Sequence, residues 1–457
     1  MLFRSSREEF NRVSATLPPA LRHDPARAPL PPYYPDTPDV RLHWAILHTQ
    51  VTRMDQQAGD LLRQLEGDGL AEDTIVFFFG DNGTGLPRGK RFLNDAGIHV
   101  PFIVRFPAKY RRWAPGAPGA PVDRLVSFVD FAPTVLSLAG IPAPASMQGT
   151  AFLGPHAGAP RREIFASRDR VDEELEVSRA LLDGRWHYIR HYYPHRPVLQ
   201  HGTYSEVGHL WKELRRLHAA GQLSGPAREL MADVKPPEEL YDLQSDPHQV
   251  RNLAADPAHH ATLASLRDPL RRRIIDIRDT GLLPEADLRS RSGARPPYEM
   301  ARDPGAFPVE RIVEAAELVG RGPAVLPAIR RRFSDRDPAV RYWAVIAVTA
   351  LGPAGAAARA ELTKSLTDTA PAVRAAAAEA LCRLGHSDKA LPVLAKALTE
   401  SDACLQLQAI NSIWHLGPLV KPILPALKAA LATKTAPEYQ RTYFEWAAEK
   451  TLARYGG

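Results

Sequence analysis

Residues 80–107 read Gly-Asp-Asn-Gly-Thr-Gly-Leu-Pro-Arg-Gly-Lys-Arg-Phe-Leu-Asn-Asp-Ala-Gly-Ile-His-Val-Pro-Phe-Ile-Val-Arg-Phe-Pro. An apolar run at residues 74–79 ends abruptly at Gly80, and a second apolar run covers residues 102–106. Both runs predict strands of one sheet. The first run does not alternate between apolar and polar residues, which is typical of a central strand covered on both sides.

Two oxygen-bearing side chains, Asp81 and Asn82, come directly after the first strand. Such side chains offer hard oxygen ligands to a cation such as Ca²⁺, and open α/β sheets bind ligands beyond the carboxyl ends of their strands. Lys90 reaches the same pocket if the loop folds back, which would make an anion-binding site. The alternative is an ordinary turn, because Asn and Gly tolerate positive φ and Asp bonds its own backbone.

A long amphipathic helix precedes the first strand. Its apolar positions recur at spacings of three and four residues: Val40, Trp44, Leu47, Val51, Met54, Ala58, Leu61 and Leu65. This period predicts one apolar helix face, with Gly67 as the C-cap. Helix, strand, loop and strand in this order predict an α/β layer. Residues 1–39 are rich in proline without a period and predict an extended arm.

These segments resemble the sulfatase family of the alkaline phosphatase superfamily. In that family a strand ends in Asp-Asn-Gly, a Gly-Lys follows, and a Gly-Ile-x-Val-Pro-x-Ile-Val strand closes the unit. The spacing of Pro87, Gly89 and Lys90 is most similar to the heparan N-sulfatase (sulfamidase) branch. The resemblance covers residues 25–280 and includes, in the family's order, segments 31–41, 128–142, 167–173 and 239–253.

The resemblance implies a Ca²⁺-dependent hydrolase of sulfuric esters or N-sulfates, with a sulfated small molecule or glycan as substrate. Asp81 and Asn82 would be metal ligands, and Lys90 would be both a catalytic and a substrate-binding residue. The cation would neutralise the sulfate oxygens, and Lys90 would stabilise charge on the side of the leaving oxygen. A phosphoesterase or phosphonate hydrolase of the same superfamily is an alternative, since the same metal geometry binds phosphate.

Segment 167–173 resembles a loop beside the family's substrate pocket. Arg170, Asp172 and Glu173 are therefore candidates for substrate contact, and solvated surface charge is the alternative. Asp130, in the segment 128–142, is expected to cap the helix that follows it.

The family's nucleophile motif, Cys-x-Pro-x-Arg, is absent from its expected place ahead of Asp81. Its Cys, or occasionally Ser, is converted to formylglycine. Cys382 and Cys404 lie outside any such motif, and the serine match at residues 224–228 comes after the Asp81 loop, where it predicts a helix start. We therefore expect an N-terminally truncated sulfatase that is inactive as this chain. The alternative is a non-catalytic binding protein with a degenerate sulfatase half.

The composition changes after residues 283–307, which carry Pro, Gly, Ser and Arg without a period and predict a linker. Asp-Pro-Ala-Val-Arg at 337–341 recurs 33 residues later as Ala-Pro-Ala-Val-Arg at 370–374. Residues 308–457 thereby resemble HEAT repeats, helix pairs that stack and bury one another's apolar faces. A plain helical bundle is the alternative. HEAT surfaces usually bind proteins, so we expect a protein partner.

The predicted fold is thus a sulfatase-like α/β domain with an incomplete N-terminal half and a C-terminal subdomain, at residues 40–282, followed by an all-α HEAT solenoid. The 457-residue chain is long enough for two or three such domains. His187, His191 and His195 recur every four residues, but the aromatic content around them favours packing in a small antiparallel sheet over metal binding.

The net charge of +6 is carried mainly by arginine. Arginine runs such as 271–273 and 330–332 are interpreted as solvated helix faces, and no motif indicates a nucleic-acid partner. No apolar run approaches the roughly 18 residues that a membrane helix needs. The first residues lack the apolar segment of a secretory signal. The sequence does not assign the protein to a cellular compartment.

Overall fold

The computed structural model describes residues 12, 14–433 and 439–456. The helices of the first part are α1 Pro38–Gly67, α2 Asp95–Ile98, α3 Phe131–Leu138, α4 His209–Ala219, α5 Gly225–Leu230 and α6 His260–Asp276. The strands are β1 Val76–Phe79, β2 Phe102–Arg105, β3 Ile164–Arg168, β4 Ser178–Leu182, β5 Trp186–His191 and β6 Glu238–Asp242.

The second part of the chain is helical throughout its described residues. It contains α7 Glu285–Ser292, α8 Pro297–Ala301, α9 Val309–Ala316, α10 Leu326–Arg332, α11 Pro338–Ala350, α12 Arg359–Ser365, α13 Pro371–Arg383, α14 Ser387–Ala397, α15 Ala403–Leu416, α16 Leu424–Ala432 and α17 Tyr439–Tyr455. In the described part of the chain, no helix is long and apolar enough to cross a membrane.

β1 and β2 form a two-stranded antiparallel sheet, in which Val76 pairs with Arg105 and Phe79 with Phe102. The prediction that both runs lie in one sheet is confirmed. The prediction of a strand covered on both sides is wrong for the described residues, because Phe79 is 43% and Ile103 62% exposed. An apolar run indicates that both faces of a strand can be buried. It does not show whether other helices or strands cover those faces in the folded chain.

α3 packs against the β1–β2 pair through Phe131, whose ring centroid lies 4.9 Å from those of Phe79 and Phe102. Asp130 precedes this helix, but its side chain does not cap it. The carboxylate instead accepts a hydrogen bond from the Thr150 amide at 2.8 Å and forms an ion pair with Arg161. Burial raises the pKa of Asp130, yet the hydrogen bond from Arg161 and those from the backbone lower it overall. A charged partner distant in sequence therefore replaces the expected cap.

The second sheet is antiparallel with the order β3-β4-β5-β6. β5 contains His187 and His191, and its central place confirms that this aromatic segment packs in a small antiparallel sheet. The His187 Nδ1 atom lies 2.7 Å from Gln249 Nε2, and His191 Nε2 lies 3.1 Å from Glu239 Oε1. Both imidazoles thus have protein partners.

α1 confirms the predicted long helix, but only its first half is buried. Val40 is fully buried, whereas Val51, Met54 and Leu61 on the same predicted face are exposed. Gly67 is the last helical residue rather than the C-cap, which is Asp68. The predicted arm falls partly outside the described residues. Its described part, from residue 14 to 39, contains short 3₁₀ turns and buries Tyr33 and Tyr34, so it packs on the domain.

The helices of the second part repeat as the sequence predicts. Pro338 and Pro371 are the first residues of α11 and α13, where a missing N–H costs nothing. Gly352 and Gly385 follow the equivalent helices α11 and α13 with positive φ, at 57° and 83°. Residues 283–307, expected to be an irregular linker, instead contain α7 and α8 and bury Met300 and Phe307 completely. The connection is therefore packed rather than loose.

The two parts share one continuous hydrophobic cluster that runs from β4 and β5 into the helical repeats. The ring of Tyr193 lies 5.6 Å from that of Trp343, and its hydroxyl lies 2.8 Å from the Tyr342 hydroxyl. Beside these rings, Arg196 Nη2 donates to Glu379 Oε2 at 2.7 Å, and both side chains are buried. This ion pair joins the first part to α13.

We expect Glu379→Ala to lower the free energy of unfolding at pH 7 by about 3–5 kcal/mol, because it leaves the Arg196 charge buried without its partner. Burial raises the pKa of Glu379, but Arg196 and Arg383 hold it well below the ordinary glutamate value. The ion pair therefore adds stability above the unfolded-state pKa and loses it as the pH falls toward the folded-state pKa. Urea denaturation at several pH values measures this trend.

The control for this prediction is Glu400→Ala. Glu400 pairs with Arg374 at 3.7 Å near the surface, and we expect a loss of about 0–1 kcal/mol at every pH. Equal losses in the two variants would contradict the assigned role of Glu379.

Candidate anion-binding pocket

The loop that follows β1 owes its shape to close backbone approach. The Gly80 amide donates to Pro101 O at 3.2 Å, and the Gly83 amide donates to Gly97 O at 3.0 Å. A Cβ atom at Gly83 would lie 1.9 Å from Ala96 O, which is closer than atoms can approach. Gly83 has no positive φ. Glycine is therefore required at position 83 because the backbone at residues 96–97 leaves no room for a side chain. The ordinary-turn interpretation would instead require glycine for a positive φ.

The loop then folds back on itself, as the anion-site interpretation requires. The Lys90 amide donates to Thr84 O at 2.5 Å, and the Gly89 amide donates to Leu86 O at 3.0 Å. Arg91 follows with φ of 81°, a left-handed conformation that costs energy outside glycine. This geometry places Lys90 and Arg91 side by side at the wall of one pocket.

The pocket has a volume of about 200 Å³. Lys90, Arg91, Thr203, Tyr204, Trp211 and Trp446 are among the residues that line it. Within the described residues, no acidic group pairs with the Lys90 ammonium. Lys90 is therefore the cation of this pocket whose charge is not compensated, and an anionic ligand would supply the missing partner.

Arg91, by contrast, is held by acidic groups. Its guanidinium forms an ion pair with Asp172, lies 3.3 Å from Glu174 Oε1 and donates to Ser205 Oγ at 2.8 Å. Glu174 is buried and also accepts from Arg168 at 2.8 Å. Burial raises the pKa of Glu174, and the two arginines offset this only in part. The network fixes the pocket wall without adding net positive charge.

The sequence-based list of site residues did not include Arg91. Two signals were available in the sequence: Arg91 follows Lys90 directly, and residues 172–174 are acidic. Neither segment alone shows that Arg91 pairs with Asp172, 81 residues later.

The two proposed metal ligands lie outside this pocket lining. Asp81 is exposed and Asn82 is half-buried at the start of the loop. The described residues contain no group of three or more His, Cys, Asp or Glu side chains that could hold a metal. Ca²⁺ takes about six to eight oxygen ligands. The residues present therefore do not fit a complete Ca²⁺ site.

The three remaining candidates have protein partners. Arg170 donates to Glu285 Oε2 at 2.7 Å and to Asn411 Oδ1 at 2.8 Å, so it faces the helical repeats. Asp172 pairs with Arg91 behind the pocket wall. Glu173 is buried and accepts from the Thr203 amide at 3.0 Å. Asp172 and Glu173 thus contact residues of the pocket lining, whereas Arg170 joins the two parts of the chain.

Residues 47–141 match the sulfatase family model, and this segment includes Asp81, Asn82 and Lys90. Residues 326–414 and 359–445 match HEAT repeats. These matches confirm the predicted fold class, a sulfatase-like α/β region followed by helical HEAT repeats.

Two curated relatives match the first part of the chain. An ulvan-active sulfatase from Formosa agariphila is 41% identical over 278 residues, covering 61% of this chain and 46% of the relative. The N-sulphoglucosamine sulphohydrolase of Homo sapiens is 29% identical over 259 residues, covering 54% of this chain and 51% of the relative. The chain therefore spans about half the length of these relatives.

A solved structure, reported in complex with its substrate D-glucosamine-2-N,6-O-disulfate, aligns with a TM-score of 0.37 at 19% identity, covering 51% of this chain and 40% of that chain. The family model and the curated relatives together show a sulfatase family segment, similar to an ulvan-active sulfatase and to a sulfamidase, and the second family model shows HEAT repeats.

We expect Gly83→Ala to lower the free energy of unfolding by about 1–3 kcal/mol, because the added methyl group forces the loop away from residues 96–97. Gly67→Ala is the matched control, since a Cβ there meets no atom within 4 Å, and helical alanine is favoured over glycine by about 0.5–1 kcal/mol. Chemical denaturation of both variants measures the difference. A Gly83→Ala protein as stable as the wild type would contradict the assigned close packing.

Proposed function

We propose that residues 40–282 supply the substrate side of a sulfatase-type active site for sulfuric esters or N-sulfates of glycans. The observation that carries this proposal is the uncompensated Lys90 ammonium at the wall of a pocket whose other cation, Arg91, is already neutralised. The homologues support the choice of ligand, because one is named for activity on ulvan and another for N-sulphoglucosamine.

In this proposal Lys90 contacts the sulfate group. A lysine at a partly enclosed wall attracts a sulfate more strongly than one in open water, because the effective dielectric constant is lower there. The same ammonium would stabilise negative charge that grows on the leaving oxygen when the ester breaks. Arg91 instead holds the wall in place through Asp172 and Glu174.

Asp172 and Glu173 act in this proposal as positioning residues for substrate contact. Asp172 pairs with Arg91, and Glu173 accepts a hydrogen bond from the amide of Thr203, another residue of the pocket lining. Arg170 stays a predicted substrate contact, but its bonds to Glu285 and Asn411 favour a structural role.

Asp81 and Asn82 are proposed to contribute two oxygen ligands to a divalent metal, as the sulfatase resemblance implies. Two side chains bind Ca²⁺ weakly, because the ion takes about six to eight oxygen ligands.

One observation favours a second function, a non-catalytic binding protein. No Cys-x-Pro-x-Arg motif occurs in the 457 residues, and the serine match at 224–228 follows the Asp81 loop and begins helix α5, so neither supplies a formylglycine nucleophile in the family's place. Such a protein would keep the anion pocket for recognition and present its HEAT repeats to a protein partner.

We expect the purified 457-residue chain not to hydrolyse 4-nitrophenyl sulfate in the presence of Ca²⁺, because loss of a nucleophile removes several orders of magnitude in rate. Release of 4-nitrophenol reports turnover. Turnover that disappears in Asp81→Ala would show that this chain carries a complete site, and the proposed inactivity would be wrong.

The same protein should bind glucosamine N-sulfate in isothermal titration calorimetry. We expect Lys90→Ala to weaken the affinity about 10–100-fold, as loss of a charge-assisted hydrogen bond does. Lys109→Ala is the control, because Lys109 is an exposed lysine paired with Asp73. This variant should bind glucosamine N-sulfate with the affinity of the wild type. Affinity unchanged in Lys90→Ala would argue against the assigned pocket.

A further inference from the structure

One wall of the Lys90 pocket comes from the end of the HEAT region. Trp446 lies on α17 and lines the pocket together with Lys90, Tyr204 and Trp211. Its side chain is 37% exposed, although its neighbours Phe444 and Ala447 are buried. The last helix thus anchors itself through other residues and leaves this indole at the pocket surface.

Specific contacts hold α17 against the pocket wall. Burial raises the pKa of Tyr443, and the nearby Asp172 carboxylate, which in turn pairs with Arg91, raises it further. The Tyr443 ring lies 5.4 Å from that of Trp446 in an edge-to-face arrangement. Trp446 is therefore linked to Arg91, the residue beside Lys90, through Tyr443 and Asp172.

A second contact places the HEAT region at the same edge. The Trp414 ring of α15 stacks on His201 with 4.7 Å between centroids. His201 lies two residues before Thr203, so this stack also holds the segment 203–205, which lines the pocket. Two separate helices of the HEAT region thus hold the pocket segments.

The pocket combines one free cation with aromatic surfaces. Tyr204 and Trp446 are partly exposed, and aromatic faces bind flat apolar surfaces while leaving polar edges hydrated. The Oγ1 atom of Thr203 and the Nε1 atom of Trp211 are buried without a hydrogen-bond partner among the described residues. Buried polar atoms are normally paired, so these two atoms are exceptions within the residues that line the pocket.

A sulfated sugar fits this combination. A pyranose ring has an apolar face of C–H groups and a polar rim of hydroxyls. Its sulfate group carries the negative charge that would pair with the Lys90 ammonium. A bare inorganic anion would use Lys90 but would leave the aromatic wall without a role.

We propose that Trp446 is a specificity-determining residue, whose indole stacks on the sugar ring of a sulfated monosaccharide bound at Lys90. The inference rests on the proposed function and extends it, because it assigns part of the glycan subsite to the HEAT region. The HEAT repeats then serve substrate recognition, beyond the protein binding that such repeats suggest.

Isothermal titration calorimetry with glucosamine N-sulfate and with inorganic sulfate separates ring recognition from anion recognition. We expect Trp446→Ala to weaken glucosamine N-sulfate binding about tenfold while leaving inorganic sulfate binding unchanged. Lys90→Ala should weaken both ligands. Trp113→Ala is the matched control, since Trp113 lies in a distant turn stacked on Tyr110, and it should bind both ligands as the wild type does.

Tryptophan fluorescence with the conservative variant guards against a folding defect in Trp446→Ala. Glucosamine N-sulfate should change the emission of the wild type, and most of that change should disappear in Trp446→Phe. Lys90-dependent binding of glucosamine N-sulfate that is equal in wild type, Trp446→Ala and Trp446→Phe would overturn this inference and leave the proposed function standing. Absence of Lys90-dependent binding in the wild type would overturn both.

Discussion

The buried ion pair between Arg196 and Glu379 is the constraint on which the arrangement of this protein depends. Its two side chains are almost fully removed from water, and Glu379 also accepts from Ser412 Oγ at 2.7 Å and from Arg383 Nε at 2.9 Å. Two charges without their partners would cost several kcal/mol each in such a place. In the observed docking of the first part on α13, Glu379 has Arg196, Arg383 and Ser412 as partners, and a docking that moved Arg196 away would leave buried charge unpaired.

The pocket follows from that docking. Once α13 and α15 are fixed against the segment around Arg196, α17 reaches Asp172 through Tyr443, and Asp172 sets the position of Arg91. The pocket wall is therefore built by a chain of charged and polar contacts that starts in the HEAT region and ends next to Lys90. In this arrangement the repeats are part of the site and not a separate module attached to it.

Local patterns in the sequence predicted much of the fold. The predicted runs at 74–79 and 102–106 pair through residues 76–79 and 102–105, the long helix after Thr37 forms, and Pro338 and Pro371 begin equivalent helices. Each depends on periods or turn chemistry within a few residues. Burial was harder to predict, because the exposed Phe79 and the packed segment 283–307 depend on what lies opposite them in space.

Of the residues that line the candidate site, the sequence predicted only Lys90. Lys90 follows from a short motif, but Arg91, Trp211 and Trp446 enter through contacts between segments remote in sequence. Asp130 shows the same limit, since Arg161, 31 residues away, takes the carboxylate that a helix start would otherwise use. One sequence without its spatial neighbours does not determine such pairings.

The distance along the chain between Arg170 and Asn411, 241 residues, has a consequence for how the protein is made. Ribosomes add roughly 5–20 residues per second, so the partner of Arg170 is synthesised roughly ten to fifty seconds after Arg170 itself. Tyr192 and Tyr193 are buried against Trp343 in the finished protein. For part of that interval Trp343 has not yet been synthesised, and both tyrosines lack this partner. Until the repeats have been synthesised, the first part of the chain exposes this apolar surface, and apolar surface that is exposed during folding favours aggregation.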